Sequence, residues 1–350
     1  MMPGIKDVAR LADVSVSTVS YVLSGKRSIS AKTTDRVMQA IEQLGYTPDA
    51  SGQRLRGRRN HIIALSEPIR KDMNQAQYSA YFMQAAFQAR KAGYDVLLLG
   101  AEDAVSDIQR VTRGNLVDGV VLLDVMENDS RAAAADTFAK PSVAIGYPHV
   151  HEACACIDID FTALGEIASR KLYDLGHRRV ALLRSLEVNY QRGVGYMLLF
   201  RDSFLKHCAK LGIKVIESEE VTINFNAERF VHEVVLGPEA PTAIVSQSNA
   251  DILNIVFDTL GNLGVRVPQD LSIISCGTYM QGEMPRYPVS ELPLDPEGLC
   301  CKIIDVLVDS IENKRDIRGL VELTEPQYID RGSLGLAASA PRKGGDNKRM

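Results

Sequence analysis

Residues 15–24 crowd small hydrogen-bonding side chains around an apolar spine: Ser15, Ser17, Thr18, Ser20, Tyr21 and Ser24 alternate with Val16, Val19, Val22 and Leu23. Hydroxyls and a phenol on one short element can donate to and accept from base edges and phosphate oxygens, and Val16 can lie against a thymine methyl. Charge points the same way. Residues 1–60 hold ten Lys/Arg (Lys6, Arg10, Lys26, Arg27, Lys32, Arg36, Arg54, Arg56, Arg58, Arg59) against five acids (Asp7, Asp13, Asp35, Glu42, Asp49), a surplus of +5. The whole chain is at -4, so the other residues carry -9. A basic end on an acidic body suits a polyanion at that end only. The plainer reading is a capped surface helix of an ordinary three-helix bundle.

Other chemistries have weaker support. His149-x-His151 near Cys154-x-Cys156 offers nitrogen and sulfur donors, but the spacing matches no familiar zinc site, and no metal is expected. Neither a P-loop nor a GxSxG or HExxH motif occurs, so no catalytic residue is named and neither an enzyme nor a cofactor is expected. A periplasmic-type transport receptor would use a similar body without the basic head. The six cysteines lack framework spacing and read as reduced core thiols. The first thirty residues hold no long apolar run and no stretch reaches the roughly 18 apolar residues of a membrane span, so neither a secretory leader nor a membrane partner is expected.

Three helices have to position the hydroxyl cluster. Ile5, Val8, Ala9 and Ala12 share one helix face, and Asp13 tolerates the left-handed backbone of a tight turn. Ser15 can cap a second helix over about 16–23, stopped at Ser24-Gly25. Ser30 can cap a third, with Val37, Ala40, Ile41 and Leu44 inward and Gly45 at its end. Two short helices across a tight turn, closed by a third, make a helix-turn-helix unit.

The ordered run Ile5-Lys6-Asp7-Val8-Ala9, Val14 through Ser24, and Arg36-Val37 through Leu44-Gly45-Tyr46-Thr47-Pro48 resembles the N-terminal signature of the LacI/GalR family of transcriptional regulators. The resemblance implies that Val16, Ser17 and Tyr21 face bases in the major groove, and that Lys6, Ser15, Thr18, Ser20 and Ser24 belong to the same DNA-binding surface, the serines and Thr18 near phosphates. Tyr21 stands where relatives often carry Arg or His, so operator preference cannot be copied from them. Residues 49–59 resemble the family's hinge helix, which orders on operator DNA and wedges a leucine into the minor groove; Leu55 takes that place between Arg54 and Arg56. Gly52, where Ala is usual, disfavours the helix by about 1 kcal/mol and predicts a strongly DNA-dependent hinge. The alternative is a flexible basic linker.

From residue 60 onward, apolar runs (62–65, 96–99, 120–123, 143–145, 180–183, 243–245, 273–274) alternate with amphipathic stretches near 76–92, 162–175, 249–263 and 297–312. This alternation predicts βαβ units and parallel sheets, with a ligand cleft at the carboxyl ends of the strands. Further matches at Ala92-Gly93-Tyr94, Val117-Asp118-Gly119-Val120, Asp160 through Gly165, Leu175 through Val180 and Val267 through Ser272 extend the resemblance over roughly residues 4–333.

The resemblance implies an all-α helix-turn-helix domain (1–47), a hinge (48–59), and an α/β periplasmic-binding-protein-like core of two parallel-sheet lobes (60–335). Lobe 1 is expected at about 60–160 plus 291–322, lobe 2 at about 161–290 plus 323–335, and a disordered tail at 336–350. In the cleft the family pattern weakens: Gly277 and Ala250 stand where relatives commonly have Asp. The family's pocket arginine matches Arg192 or, in a register following Phe200-Arg201-Asp202, Tyr196; the first is favoured. Ser66, Gln77, Tyr78, Asp124, Asp160, Asn249 and Thr278 complete the expected effector site. The expected protein is a cytoplasmic, nucleoid-associated homodimer, a repressor on a pseudo-palindromic double-stranded operator. A small molecule controls it, with a carbohydrate or glycoside inducer as the leading class and a non-sugar corepressor as the alternative.

Overall fold

The computed structural model describes residues 3–24, 27–46, 59–70, 75–222, 225–277 and 286–338. They fall into two compact units, Met1–Asn60 and His61–Met350.

The first unit is helical: α1 (Ile5–Leu11), α2 (Val16–Ser24) and α3 (Ala31–Leu44). Val8, Ala9, Ala12, Val19, Val37 and Ala40 bury together, so each helix contributes its apolar face to one small core. Asp13 carries φ 50° in the turn between α1 and α2. The Ser15 hydroxyl accepts from the Thr18 N–H at 3.1 Å, and Ser30 does the same for Thr33. Gly45 closes α3 at φ 57°, a left-handed position that disfavours side chains.

The second unit alternates strands and helices. Its first part runs β1 (Ile62–Ser66), α4 (Gln75–Lys91), β2 (Asp95–Leu99), α5 (Ala104–Arg113), β3 (Gly119–Leu122), α6 (Ser130–Ala133), β4 (Ser142–Ile145) and β5 (Ala155–Ile159). Then follow α7 (Phe161–Asp174), β6 (Arg179–Leu183), α8 (Glu187–Arg192), α9 (Gly195–Lys210), β7 (Lys214–Glu217), α10 (Ala227–Phe230), β8 (Ala243–Ser246), α11 (Ala250–Asn262), β9 (Ser272–Ser275) and β10 (Ser290–Glu291). The last elements are α12 (Pro296–Asn313) and β11 (Val321–Thr324).

Two sheets result, ordered β11-β5-β4-β3-β1-β2 and β10-β9-β8-β6-β7, and every strand pairing in both is parallel. Central strands such as Gly119–Leu122, Ala243–Ser246 and Ser272–Ser275 are buried at every position, the mark of a parallel sheet covered on both faces.

The chain passes between the lobes three times. It leaves the first sheet after β5, returns with α12 and β11, then re-enters the second lobe, where Ile329 bridges Glu291 and the Ser333 hydroxyl donates to the Ile273 carbonyl. This corrects the expected return at residue 323: β11 keeps Leu323 and Thr324 in the first sheet, paired with Asp158 and Ile159. The second lobe also holds the chain past the expected start of the tail. Buried His177 reaches Thr242 and the Gly335 carbonyl, and the Ala337 N–H donates to Leu175. Residues 339–350 lie outside the described residues.

Four strands escaped the sequence reading: β5, β7, β10 and β11. β7 and β11 are edge strands of mixed polarity, β10 is two residues long, and β5 carries a buried Asp158. Helices α5, α6, α8, α9 and α10 were also missed. The weak apolar stripe of α9 hides a close fit to α7, where a Cβ on Gly165 would meet the Phe204 N at 2.6 Å.

Candidate functional site: an exposed helix face and an inter-lobe cleft

Two surfaces collect the residues singled out above. In the helical unit, burial of Val19 fixes which side of α2 turns outward. Ser15, Val16, Ser17 and Tyr21 are exposed, with Val16 at 41% and Tyr21 at 37%, while Thr18 and Ser20 are half-buried. Lys6 is exposed on α1. The Arg27 guanidinium lies 5.9 Å from the Tyr21 ring centroid, placing a cation beside the phenol. The Ser24 side chain, and all of Arg54, Leu55 and Arg56 with the rest of 47–58, lie outside the described residues.

In the second unit the carboxyl ends of both sheets face a cleft enclosing about 750 Å³ of open space, its mouth included. Loops after β1 and β3 supply Glu67, Arg70 and Asp124; β5 supplies Asp158; α4 supplies Tyr78; α8 and the start of α9 supply Asn189, Arg192 and Tyr196. Arg70 Nη2 and Arg192 Nη2 both donate to Asp124 Oδ2, at 2.5 and 2.8 Å. Asp124 and Arg192 come from opposite lobes. Beside them Met126 bridges Val194, the Glu127 N–H donates to the Gly193 carbonyl at 2.7 Å, and the Gly195 N–H donates to the Val125 carbonyl at 3.1 Å. One charged contact and a short antiparallel bridge thus fasten the lobes at the rim of the cleft.

Strand ends are held from behind. Arg131 is buried and spans the Ser66 and Leu123 carbonyls, at 2.7 and 2.8 Å, while its guanidinium lies on Asp129. Burial alone would raise the Asp129 pKa; the bonds from Arg131 and from backbone N–H groups outweigh it and hold the carboxyl below its ordinary value. The tips of β1 and β3, and with them Glu67 and Asp124, are thereby fixed.

Two cleft carboxyls behave differently. Glu67 is 5% exposed, and its pKa is pushed up to about 8, first by burial and then by the Asp124 charge, against the pull of Arg70, Arg131 and Arg192. Asp158 is likewise 5% exposed; burial pushes it to about 7, opposed only by the Ile159 N–H. The buried Tyr78 hydroxyl has no partner among the described residues, and burial, then Glu67, raises its pKa.

A second chamber of about 490 Å³ shares Asn189, Tyr196 and Leu294 with the first and reaches Gln247, Asn249 and Gly277. Gln247 is set by the Tyr190 hydroxyl, which donates to its Oε1 at 2.6 Å.

Of the expected effector residues, Tyr78, Asp124, Arg192 and Tyr196 meet in the first chamber and Asn249 lines the second. Two do not line it. Asp160 caps α7 by accepting from the Ala163 N–H at 2.8 Å, and Ser66 is wholly buried with its hydroxyl unpartnered among the described residues. The Gln77 side chain and Thr278 lie outside the described residues. Arg192 and Tyr196, alternatives in sequence, both face the cleft. Glu67, Arg70, Asp158 and Asn189 were missed, although Glu67 and Arg70 directly follow a strand and so stand where such folds place ligand contacts. At Gly277 a Cβ would lie 2.7 Å from the Gln247 carbonyl oxygen, so this backbone has no room for the family's aspartate.

Among the described residues no three His, Cys, Asp or Glu gather as a metal site, and no helix is long and apolar enough to cross a membrane. His151 instead contacts the Pro148 carbonyl, and Cys154 and Cys156 are buried.

A helix-turn-helix unit joined to a two-lobed periplasmic-binding-protein-like core defines a DNA-binding transcriptional regulator rather than an enzyme. Residues 4–49 match the bacterial regulatory proteins of the lacI family, and residues 169–334 match the periplasmic binding protein-like domain. The HTH-type transcriptional repressor PurR of Pasteurella multocida (strain Pm70) is 24% identical over 341 residues, covering 95% of this chain and 99% of its own. The fold is that of the lac repressor dimer bound to operator and the anti-inducer ONPF (TM-score 0.77, 19% identity, 95% of this chain and 99% of that one). It is also that of a transcriptional regulator CelR–cellobiose complex (TM-score 0.61, 22% identity, 95% and 99%). The chain thus pairs a lacI-family helix-turn-helix domain with a periplasmic-binding-protein-like domain, as its relatives among the lacI-family regulators do.

Proposed function

We propose that this protein is a cytoplasmic, homodimeric repressor that binds a pseudo-palindromic operator and whose DNA affinity is set by a small molecule held between the core lobes. The observation that carries this reading is the placement of one polar cleft astride the Asp124–Arg192 contact, in a chain whose other unit presents a helix-turn-helix. Each head lays α2 in the major groove of a half-site, with Val16, Ser17 and Tyr21 toward base edges and Lys6, Ser15, Thr18, Ser20 and Ser24 toward phosphates. Paired hinges carry Leu55 into the central minor groove, with Arg54 and Arg56 on the backbone. A ligand touching Asp124 and Arg192 touches the contact that sets the angle between lobes, and that angle sets the spacing of the two heads. The linkage is reciprocal: operator changes ligand affinity by the factor by which ligand changes operator affinity.

Selection of genomic fragments by the purified full-length protein, at near-physiological salt and with or without cell metabolites, tests the reading. Enrichment of one short palindrome that metabolites abolish is the expected result for an inducible repressor. Enrichment only with metabolites makes the small molecule a corepressor. Unselective binding under both conditions, weakening steeply with salt, refutes sequence reading by the head.

A further inference from the structure

The cleft offers guanidinium donors beside hydroxyl-type groups that both donate and accept. Asp124 already accepts two guanidinium bonds on one oxygen. Arg192, which cannot accept, lines the cavity and uses only Nη2 in bonds to the described residues. Glu67, Asp158 and Tyr78 add hydroxyl-type groups: Glu67 makes no side-chain hydrogen bond among the described residues, Asp158 takes only the Ile159 N–H, and the Tyr78 hydroxyl is unpartnered there. Burial holds both carboxyls in or near the protonated form at neutral pH, so each can donate one bond and accept another. The two ends differ. Arg70 and Arg192 cluster at Glu67, whereas no cation acts on Asp158, which lines the same cleft.

A neutral sugar would meet this donor set without supplying the charged acceptor that a guanidinium binds best. An ammonium would have to approach Arg70 and Arg192. A monoanionic carboxylate matches the planar fork of Arg192, and hydroxyls further along the ligand match groups that both donate and accept. Resting on the cleft reading above, we propose that the effector is a polyhydroxylated carboxylic acid, a sugar acid, with its carboxylate at Arg192 and its hydroxyls toward Tyr78 and Asp158.

Calorimetric titration of the full-length protein with gluconate, glucuronate and galacturonate tests this, against glucose, galactose, cellobiose, glucosamine and glucose 6-phosphate. At least one acid should bind about tenfold or more tighter than every other probe. Arg192→Gln should abolish that difference and Arg192→Lys restore part of it, with far-UV circular dichroism checking the fold of both. The groups facing Glu67 are Arg70 beside it, Asp124 and Arg131 from the loop and helix after β3, Arg192 from α8 and Tyr78 from α4. Ionisation of Glu67 adds a negative charge among them, so acid affinity should fall above pH 8 in the wild type and not in Glu67→Gln. A neutral sugar, an amino sugar or the sugar phosphate binding as tightly as any acid overturns the proposal. So does the absence of acid binding up to about 10 mM, weaker than any regulatory affinity. If a neutral probe wins and Arg192→Gln abolishes its binding, the cleft reading survives and the acid falls. If a probe binds equally to wild type, Arg192→Gln and Tyr196→Ala, both fall.

Discussion

Replacing Glu67 by glutamine should make the protein more resistant to unfolding at alkaline pH and change little in mild acid. The wild-type carboxyl is raised from 4.5 to about 8 because it is 5% exposed and faces Asp124, while Arg70, Arg131 and Arg192 offset only part of that. A folded state that holds its proton more tightly than the unfolded chain gains stability from the group. That gain is fully present below pH 4.5 and is lost as pH rises through about 8. Each pH step across this window is worth about 1.4 kcal/mol, so wild type should lose at most about 3–4 kcal/mol between pH 5 and 8 that the glutamine variant keeps. Water in the cleft mouth lowers this toward about 2 kcal/mol. Every other residue is common to both proteins and cancels in the comparison. The chain has no tryptophan, so urea unfolding is best followed by far-UV circular dichroism. The midpoint difference between the two proteins should open by roughly 1 M urea from pH 5 to 8.5. A difference that stays flat over that range refutes the burial argument for Glu67.

Gly165→Ala should cost about 2–4 kcal/mol in thermal or urea unfolding, because the new methyl meets backbone atoms of Phe204 and Phe200 at 2.6 and 2.9 Å; an unchanged midpoint would mean that α7 and α9 can part freely. Arg131→Ala should lose about 3–5 kcal/mol in the same assay, since it strands the buried Asp129 carboxylate and frees the tips of β1 and β3. Tyr21→Ala should weaken specific operator binding about tenfold while barely touching nonspecific DNA. An equal loss on all DNA would make Tyr21 a phosphate or packing residue. Leu55→Ala should weaken operator binding and leave ligand titrations unchanged; intact operator affinity would remove the wedge.

Local rules made the helical unit readable from sequence. Val8, Ala9, Ala12, Val19, Val37 and Ala40 recur at helical spacing, Ser15 and Ser30 cap, and Asp13 and Gly45 take left-handed turns. All of that lies within a few residues of chain, where periodicity and capping act. The alternation of apolar runs with amphipathic stretches likewise determined two parallel sheets, and missed the edge strands β7, β10 and β11, the interior strand β5 with its buried Asp158, and several helices. Asp160 shows where local logic misleads: an acid between a strand and a helix looks like a ligand contact and serves as a cap.

What only the tertiary structure decided is the chemistry of the cleft. Asp124 meets Arg192 from 68 residues away and Arg70 from 54, and no spacing rule reaches across a lobe boundary. The protonation of Glu67 and Asp158 follows from how little water reaches them, and the loss of room at Gly277 follows from the path of Gln247 beside it. Sequence determines which elements form because hydrogen bonding and apolar periodicity are local. The charge, reach and proton affinity of a site depend on burial, and burial exists only once distant segments have packed.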